Sequence, residues 1–210
     1  MLTVTISGAD KTAAALARIG AAMKRPLMLG LDAMMKDQVN RTFSRQADPV
    51  TGSPWKRTGP LALRNRPSGG GQTLRATAGG LLDSIVSRAP MVTDTSVTIG
   101  TDKAYGPIHQ TGGIVRPKTA KKLAIPLTRE AVRAGSARRW MAQNQKKYFF
   151  TPNAICKREP GGRVVAHFAR LDSSTIPMRR YLGIGPEYGR EIEAFVVKVA
   201  ERAASSGGGA

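Results

Sequence analysis

Cysteine is almost absent. The single thiol, Cys156, excludes an intramolecular disulfide framework and every Cys-rich zinc module, and it fits a protein made in a reducing cytoplasm. Aromatic residues are scarce, at 5% of 210 residues, so few rings are available for the stacking platforms of single-strand nucleic-acid readers. No apolar run reaches the roughly 18 residues of a membrane-spanning helix, which predicts no membrane partner. The first residues lack the charged start, apolar block and cleavage site of a secretory signal. Acidic side chains are also few: 14 Asp and Glu stand against 33 Lys and Arg, a formal net charge of +19.

The charge is unevenly spread. Residues 116–170 carry 14 basic and 2 acidic side chains, while residues 171–210 carry 5 of each. A basic excess confined to mid-chain implies a surface that meets something anionic, either nucleic acid or an acidic protein neighbour; a solvated arm is the plainer reading.

Along the chain, Leu2, Val4 and Ile6 alternate with Thr3, Thr5 and Ser7, which predicts a short strand ending at Gly8. Asp10 can cap the helix that follows, whose apolar stripe is Thr12, Leu16, Ile19 and Met23. Lys24, Arg25 and Pro26 punctuate, with Pro26 suited to the first turn of a second helix. Met28, Leu31, Met35, Val39 and Phe43 form that helix's stripe, so residues 10–45 read as a helical hairpin. The Gly- and Pro-rich stretch 47–80 reads as a long loop, functional or ordered on assembly, with Trp55 anchoring it to the core. Residues 81–87 fit either helix or strand; Val97 and Ile99 mark a strand, and residues 102–110 add a short helix before Gly112 and Gly113. Residues 121–126 and 163–171 look like two strands flanking a basic, weakly periodic extension at 129–147. Gly185, Pro186 and Glu187 start a last helix with the apolar face Tyr188, Ile192, Phe195, Val196 and Val199. Residues 205–210 (SSGGGA) read as a disordered tail.

Catalytic chemistry finds little support. A Cys156–His167 pair is the one nucleophile-and-base combination available, and no thiol-enzyme signature surrounds it. His109 and His167 lie far apart without close carboxylates, so no metal-ligand spacing exists. The run Gly69–Gly71 lacks the following Lys-Ser or Lys-Thr of a phosphate-binding loop. Tyr148, Phe149 and Phe150 offer rings for base stacking, but an aromatic run beside a strand is more often core. The expectation is no enzyme, no metal and no cofactor.

Three segments together carry a resemblance: FSRQADPVTGSPW at 43–55, SVTIGTDKAYGPIHQTGG at 96–113 and IPMRRYLGIG at 176–185. In order and spacing they resemble the virion morphogenesis proteins of Mu-like phages, related to the tail completion proteins of contractile-tailed phages. Departures from that pattern are Gly106 for Ala, Met178 for Ala, Arg180 for Pro and Tyr181 for Phe.

The resemblance implies a structural virion protein of the neck, assembled in the host cytoplasm. It would form a homo-oligomeric, hexameric ring in head–tail joining or tail completion. Implied partners are head-closure or connector proteins, tail-terminator or tail-tube proteins, and non-specific contact with packaged double-stranded DNA. The alternative is a cytosolic nucleic-acid-binding protein using residues 116–170. The expected fold is α+β: an antiparallel sheet packed by the N-terminal helical hairpin and the C-terminal helix, with a basic β-hairpin-like insertion at 114–175 in a single domain 1–204. Expected interface residues are His109, Gln110, Arg116, Lys118, Lys121, Lys122, Arg138 and Arg139, with a buried, hydrogen-bonded role the competing account of His109. Asp48, Pro49, Gly52, Trp55, Pro177, Arg179 and Gly183 are the structural motif residues: the turn formers aim Trp55 at the core, and Pro177 and Gly183 fix the entry to the last helix.

Overall fold

A computed structural model describes residues 21–59, 72–75, 79–145 and 147–206. The expected strand at 2–6, the helix from Asp10 and the tail beyond Ser206 lie outside them, as does most of the loop between Gly59 and Gly79. The chain divides into two compact units. The first draws on Met1–Trp55, Thr77–Thr111 and Met178–Ala210; the second on Lys56–Ala76 and Gly112–Pro177.

In the first unit, helix α1 spans Ala21–Arg45 with Pro26 inside it, so the expected start of a second helix at Pro26 is not observed. An internal proline costs about 3 kcal/mol; the helix continues because Leu27, Met28, Leu31, Met35, Val39 and Phe43 recur at helical spacing and are all buried. Asp32 lies on the same buried stripe and pairs with Lys36 one turn on, at 2.8 Å. Lys36 Nζ also donates to the Arg88 carbonyl at 2.6 Å, just beyond helix α2 (Leu81–Val86). Helix α2 places Leu81, Leu82 and Ile85 in the core, which resolves the open reading of 81–87 as helix.

Strands β1 (Met91–Val92) and β2 (Val97–Thr98) form an antiparallel ribbon packed on α1. Helix α3 (Gly106–Thr111) follows. The last helix of the unit spans Pro186–Ser206 and packs on α1, with its Tyr188, Ile192 and Val196 buried. Phe195 is half-buried, and its ring lies 2.6 Å from where a Cβ on Gly30 would stand. Glycine at position 30 lets the two helices meet at that ring.

The second unit holds β3 (Gly113–Val115) paired with β8 (Ser174–Ile176), and a four-stranded antiparallel sheet. Its strands are β4 (Leu123–Pro126), β5 (Tyr148–Phe150), β6 (Ala154–Arg158) and β7 (Val164–Leu171), in the order β4-β7-β6-β5. Helices α4 (Arg129–Ala134) and α5 (Ala137–Gln143) occupy the stretch expected to be an extension, and we label the C-terminal helix α6. Thr128 caps α4 by accepting from the Ala131 N–H, Gly135 ends it at φ 74°, and Ser136 caps α5 by accepting from the Arg139 N–H.

The fold is therefore mixed α+β, and two expectations are corrected. The largest sheet belongs to a different unit from the α1–α6 pair. The basic insertion is no hairpin: Trp140, Ile155, Phe168, Ala131 and Ala134 give it a hydrophobic core of its own.

Candidate functional site

Residues 43–55, 96–111 and 178–185 of the three sequence motifs come together in the first unit. Asp48 closes the loop after α1: its carboxylate accepts from the N–H groups of Val50 (2.8 Å) and Thr51 (3.2 Å), and its carbonyl from Gly52 (2.8 Å). Gly52 takes a φ of 72°, where a Cβ would be strained. Trp55 is buried, meets Phe43 edge-on at 5.4 Å, and donates through Nε1 to the Arg180 carbonyl at 3.0 Å. Asp48 faces the Arg180 guanidinium at 3.6 Å.

Gln110 joins the second motif to the third. Its Nε2 donates to the Leu182 carbonyl at 2.6 Å, and its Oε1 accepts from the Tyr181 and Leu182 N–H groups at 3.0 and 3.1 Å. The side chain is buried and bonded within the chain through both its amide nitrogen and its oxygen. His109 is half-buried, stands edge-on to Tyr105 at 6.0 Å, and its carbonyl accepts from the Arg179 N–H at 2.7 Å. Its buried Nδ1 has no hydrogen-bond partner among the described residues. Burial first, and the Arg179 charge second, hold its pKa below 6.5. Arg179 is buried, Pro177 is the last residue of the second unit, and Gly183 leaves room for Val50, whose Cγ2 would lie 2.6 Å from a Cβ there.

The expected cations all lie in the second unit. Arg116, Lys118, Lys121, Arg138 and Arg139 are exposed, and no ion pair joins them to a described carboxylate; Lys122 reaches Asp172 at 3.5 Å. They occupy the turn after β3, the approach to β4 and the first turn of α5.

The second unit also holds a polar network whose members, other than His167 itself, sequence reading did not single out. His167 sits at a bulge in β7, where Ile155 pairs with Phe168 but Cys156 pairs with Ala166. The extra residue breaks the alternation, and the rings of both His167 and Phe168 reach Trp140, at 4.6 and 5.6 Å. His167 Nδ1 lies 2.9 Å from Thr128 Oγ1, and Nε2 lies 3.3 Å from Glu159 Oε1. Trp140 Nε1 donates to Glu130 Oε1 at 2.9 Å, and Lys157 Nζ stands within 3.7 Å of Glu130 and 3.5 Å of Glu159. The capping Thr128 was the one legible signal of this network.

Glu130, Glu159 and His167 could in principle hold a metal ion. The geometry argues otherwise: Glu130 approaches Nδ1 at 3.7 Å while Glu159 approaches Nε2, and one ion cannot be ligated from both sides of an imidazole. The Lys157 ammonium already supplies the positive charge there. Both ring nitrogens of His167 have partners other than Cys156, so the nucleophile-and-base pair does not form.

The Tyr148–Phe150 run divides. Tyr148 packs beside the Trp140 core, while Phe149 and Phe150 are exposed on the edge strand β5, with the Arg170 guanidinium 5.3 Å from the Phe150 ring centre. Among the described residues no helix is long and apolar enough to cross a membrane.

No curated protein and no solved structure matches the chain significantly. The sequence does match the Phage virion morphogenesis family over residues 4–200, a span that takes in all three motifs and both compact units. The chain therefore belongs to the Phage virion morphogenesis family and is a structural, non-enzymatic virion protein with a tail-related role in phage assembly.

Proposed function

We propose that the protein acts at the phage neck, as a homo-oligomeric ring in head–tail joining or tail completion, and that its second unit docks against an acidic face of a neighbouring virion protein. The carrying observation is the concentration of +12 net charge within residues 116–170, with Arg116, Lys118, Lys121, Arg138 and Arg139 exposed and without ion pairs to described carboxylates. Exposed cations of one sign steer association and fix register against an oppositely charged partner. A DNA channel supports the reading less well, because a strongly positive lumen would hold the duplex that has to slide through it. The clasped motifs in the first unit serve as scaffold, with Gln110 engaged inside the chain and His109 half-buried beside Tyr105.

The test is a virus in which Arg116, Lys118, Lys121, Lys122, Arg138 and Arg139 are all replaced by Gln. The expected outcome is that filled heads and complete tails accumulate separately in electron micrographs. Normal yields of joined, infectious particles would overturn the docking reading. Sedimentation of the purified chain as a monomer at assembly concentrations would remove the ring.

A further inference from the structure

We propose that the cleft between the C-terminal end of α1 and the first turns of α6 binds a carboxylate side chain presented by an acidic segment of a partner protein. The cleft has a volume of about 490 Å³ and lies wholly within the first unit. The proposal goes beyond the docking surface assigned above and does not depend on it.

Three guanidinium groups line the cleft: Arg41, Arg45 and Arg190. Arg45 and Arg190 are exposed and form no ion pair among the described residues. Arg41 is held by Asp37 at 2.7 Å, while its contact with Glu191 is 3.5 Å, long for a charge-assisted bond, and can yield to an incoming carboxylate. The α6 helix of 21 residues opens at Pro186 on the cleft wall, so its dipole favours an anion there.

An independent observation points to a ligand. Tyr188 also lines the cleft and is 5% exposed, yet its hydroxyl has no hydrogen-bond partner among the described residues. Burial is the largest influence on that hydroxyl, followed by the charges of Glu191, Arg41 and Asp37; the net effect raises its pKa. A buried hydroxyl left unpaired is costly, and a seated carboxylate would accept from it.

The lining also selects the kind of anion. Asp48, Glu187 and Glu191 share the wall with the three arginines. Double-stranded DNA, with a charge about every 1.7 Å of helix axis over its two strands, would bring phosphates against those carboxylates. A single carboxylate can take the arginine fork in two-point geometry and avoid them. The donor is a different protein because this chain is poor in acids, with 14 against 33 basic residues.

The test titrates the isotope-labelled full chain with the blocked peptide acetyl-Asp-Glu-Asp-Glu-amide, following arginine side-chain N–H resonances by NMR. Those of Arg45 and Arg190 are expected to shift. The pair R45Q and R190Q should weaken binding about ten-fold, equivalent to ~1.4 kcal/mol. R25Q with K198Q removes the same charge from exposed positions of the first unit outside the cleft and should leave binding nearly unchanged. Tyr188→Phe should weaken binding a few-fold while keeping its thermal midpoint. Equal losses from the two charge-matched pairs would show that the peptide follows net charge alone and would overturn the site. Displacement of the peptide from Arg45 and Arg190 by inorganic phosphate or a short DNA duplex at equal charge would overturn the carboxylate assignment. Neither result bears on whether the second unit docks at the neck.

Discussion

The hydroxyl of Tyr181 stands 2.8 Å from the point where a Cβ on residue 106 would lie. Gly106 and Tyr181 are two of the positions at which the chain departs from the resemblance, glycine for alanine and tyrosine for phenylalanine. In space they are one packing change: the phenol oxygen takes room that a methyl group would fill. That oxygen is buried without a hydrogen-bond partner among the described residues, and burial, with the Tyr105 charge second, pushes its pKa up to about 12.

Gly106→Ala should destabilise the protein by roughly 1–3 kcal/mol. Tyr181→Phe should be close to neutral, because it removes an unpaired buried hydroxyl. The double variant should recover part of the loss, with a coupling of about 1 kcal/mol in denaturant unfolding. Recovery stays partial because Thr101 Cγ2 also crowds the site at 2.6 Å. Strict additivity of the two substitutions would refute the pairing.

Gln110→Ala should cost about 2–4 kcal/mol, since it strands the Leu182 carbonyl and two N–H groups in a buried position. Hydrogen exchange at Tyr181 and Leu182 should accelerate more than elsewhere in the first unit. Unchanged protection there would show that the clasp is dispensable.

Stability should fall as pH drops from 7.5 towards 5.5 because of His109. Its folded pKa lies below 6.5, held there by burial and then by Arg179, so the unfolded chain takes up the proton more readily. The associated stability is present above the unfolded value and lost as pH falls through the folded one. His109→Phe should flatten this limb in denaturant midpoints measured across the window. An identical slope in the variant would assign it to another group.

Trp140→Ala should cost about 3–5 kcal/mol by emptying the core of the second unit. Loss of exchange protection should concentrate in β4, β6 and β7, with α1 and α6 retaining theirs. Equal loss in both sets would mean that the two units unfold as one.

Gly185→Ala should destabilise by roughly 1–3 kcal/mol. The new Cβ would lie 2.5 Å from the Pro49 carbonyl oxygen, a backbone atom with little freedom to retreat. A thermal midpoint equal to that of the unaltered chain would show that the Asp48–Gly52 loop gives way freely.

The regular elements that the sequence revealed were those with a sustained period. The α1 stripe from Met28 to Phe43 and the face of α6 repeat often enough to stand out from composition. Leu31, Met35 and Ile192 are buried, whereas Phe195 and Val199 are only half-buried at the rim. Two-residue β1 was too short to carry alternation. The end of α1 fell at Gln46 with φ 55°, a conformation usually signalled by glycine. Helices α4 and α5, of six and seven residues, show too few turns for a period, and only their caps Thr128 and Ser136 mark them.

Local sequence thus determined the chemistry available: a basic chain with one thiol and two histidines, turn formers at Asp48 and Gly52, and three motifs distinctive enough to resemble a virion morphogenesis family. Tertiary structure alone decided which groups meet. Gln110 finds Leu182 across 72 positions and Trp55 finds Arg180 across 125, because buried polar groups need partners and the chain folds to supply them. Arg45 and Arg190 share a cleft through the packing of α1 on α6, and one bulged residue in β7 brings His167 and Phe168 to the same tryptophan. Such meetings depend on contacts distant in the chain, which neither composition nor local periodicity encodes.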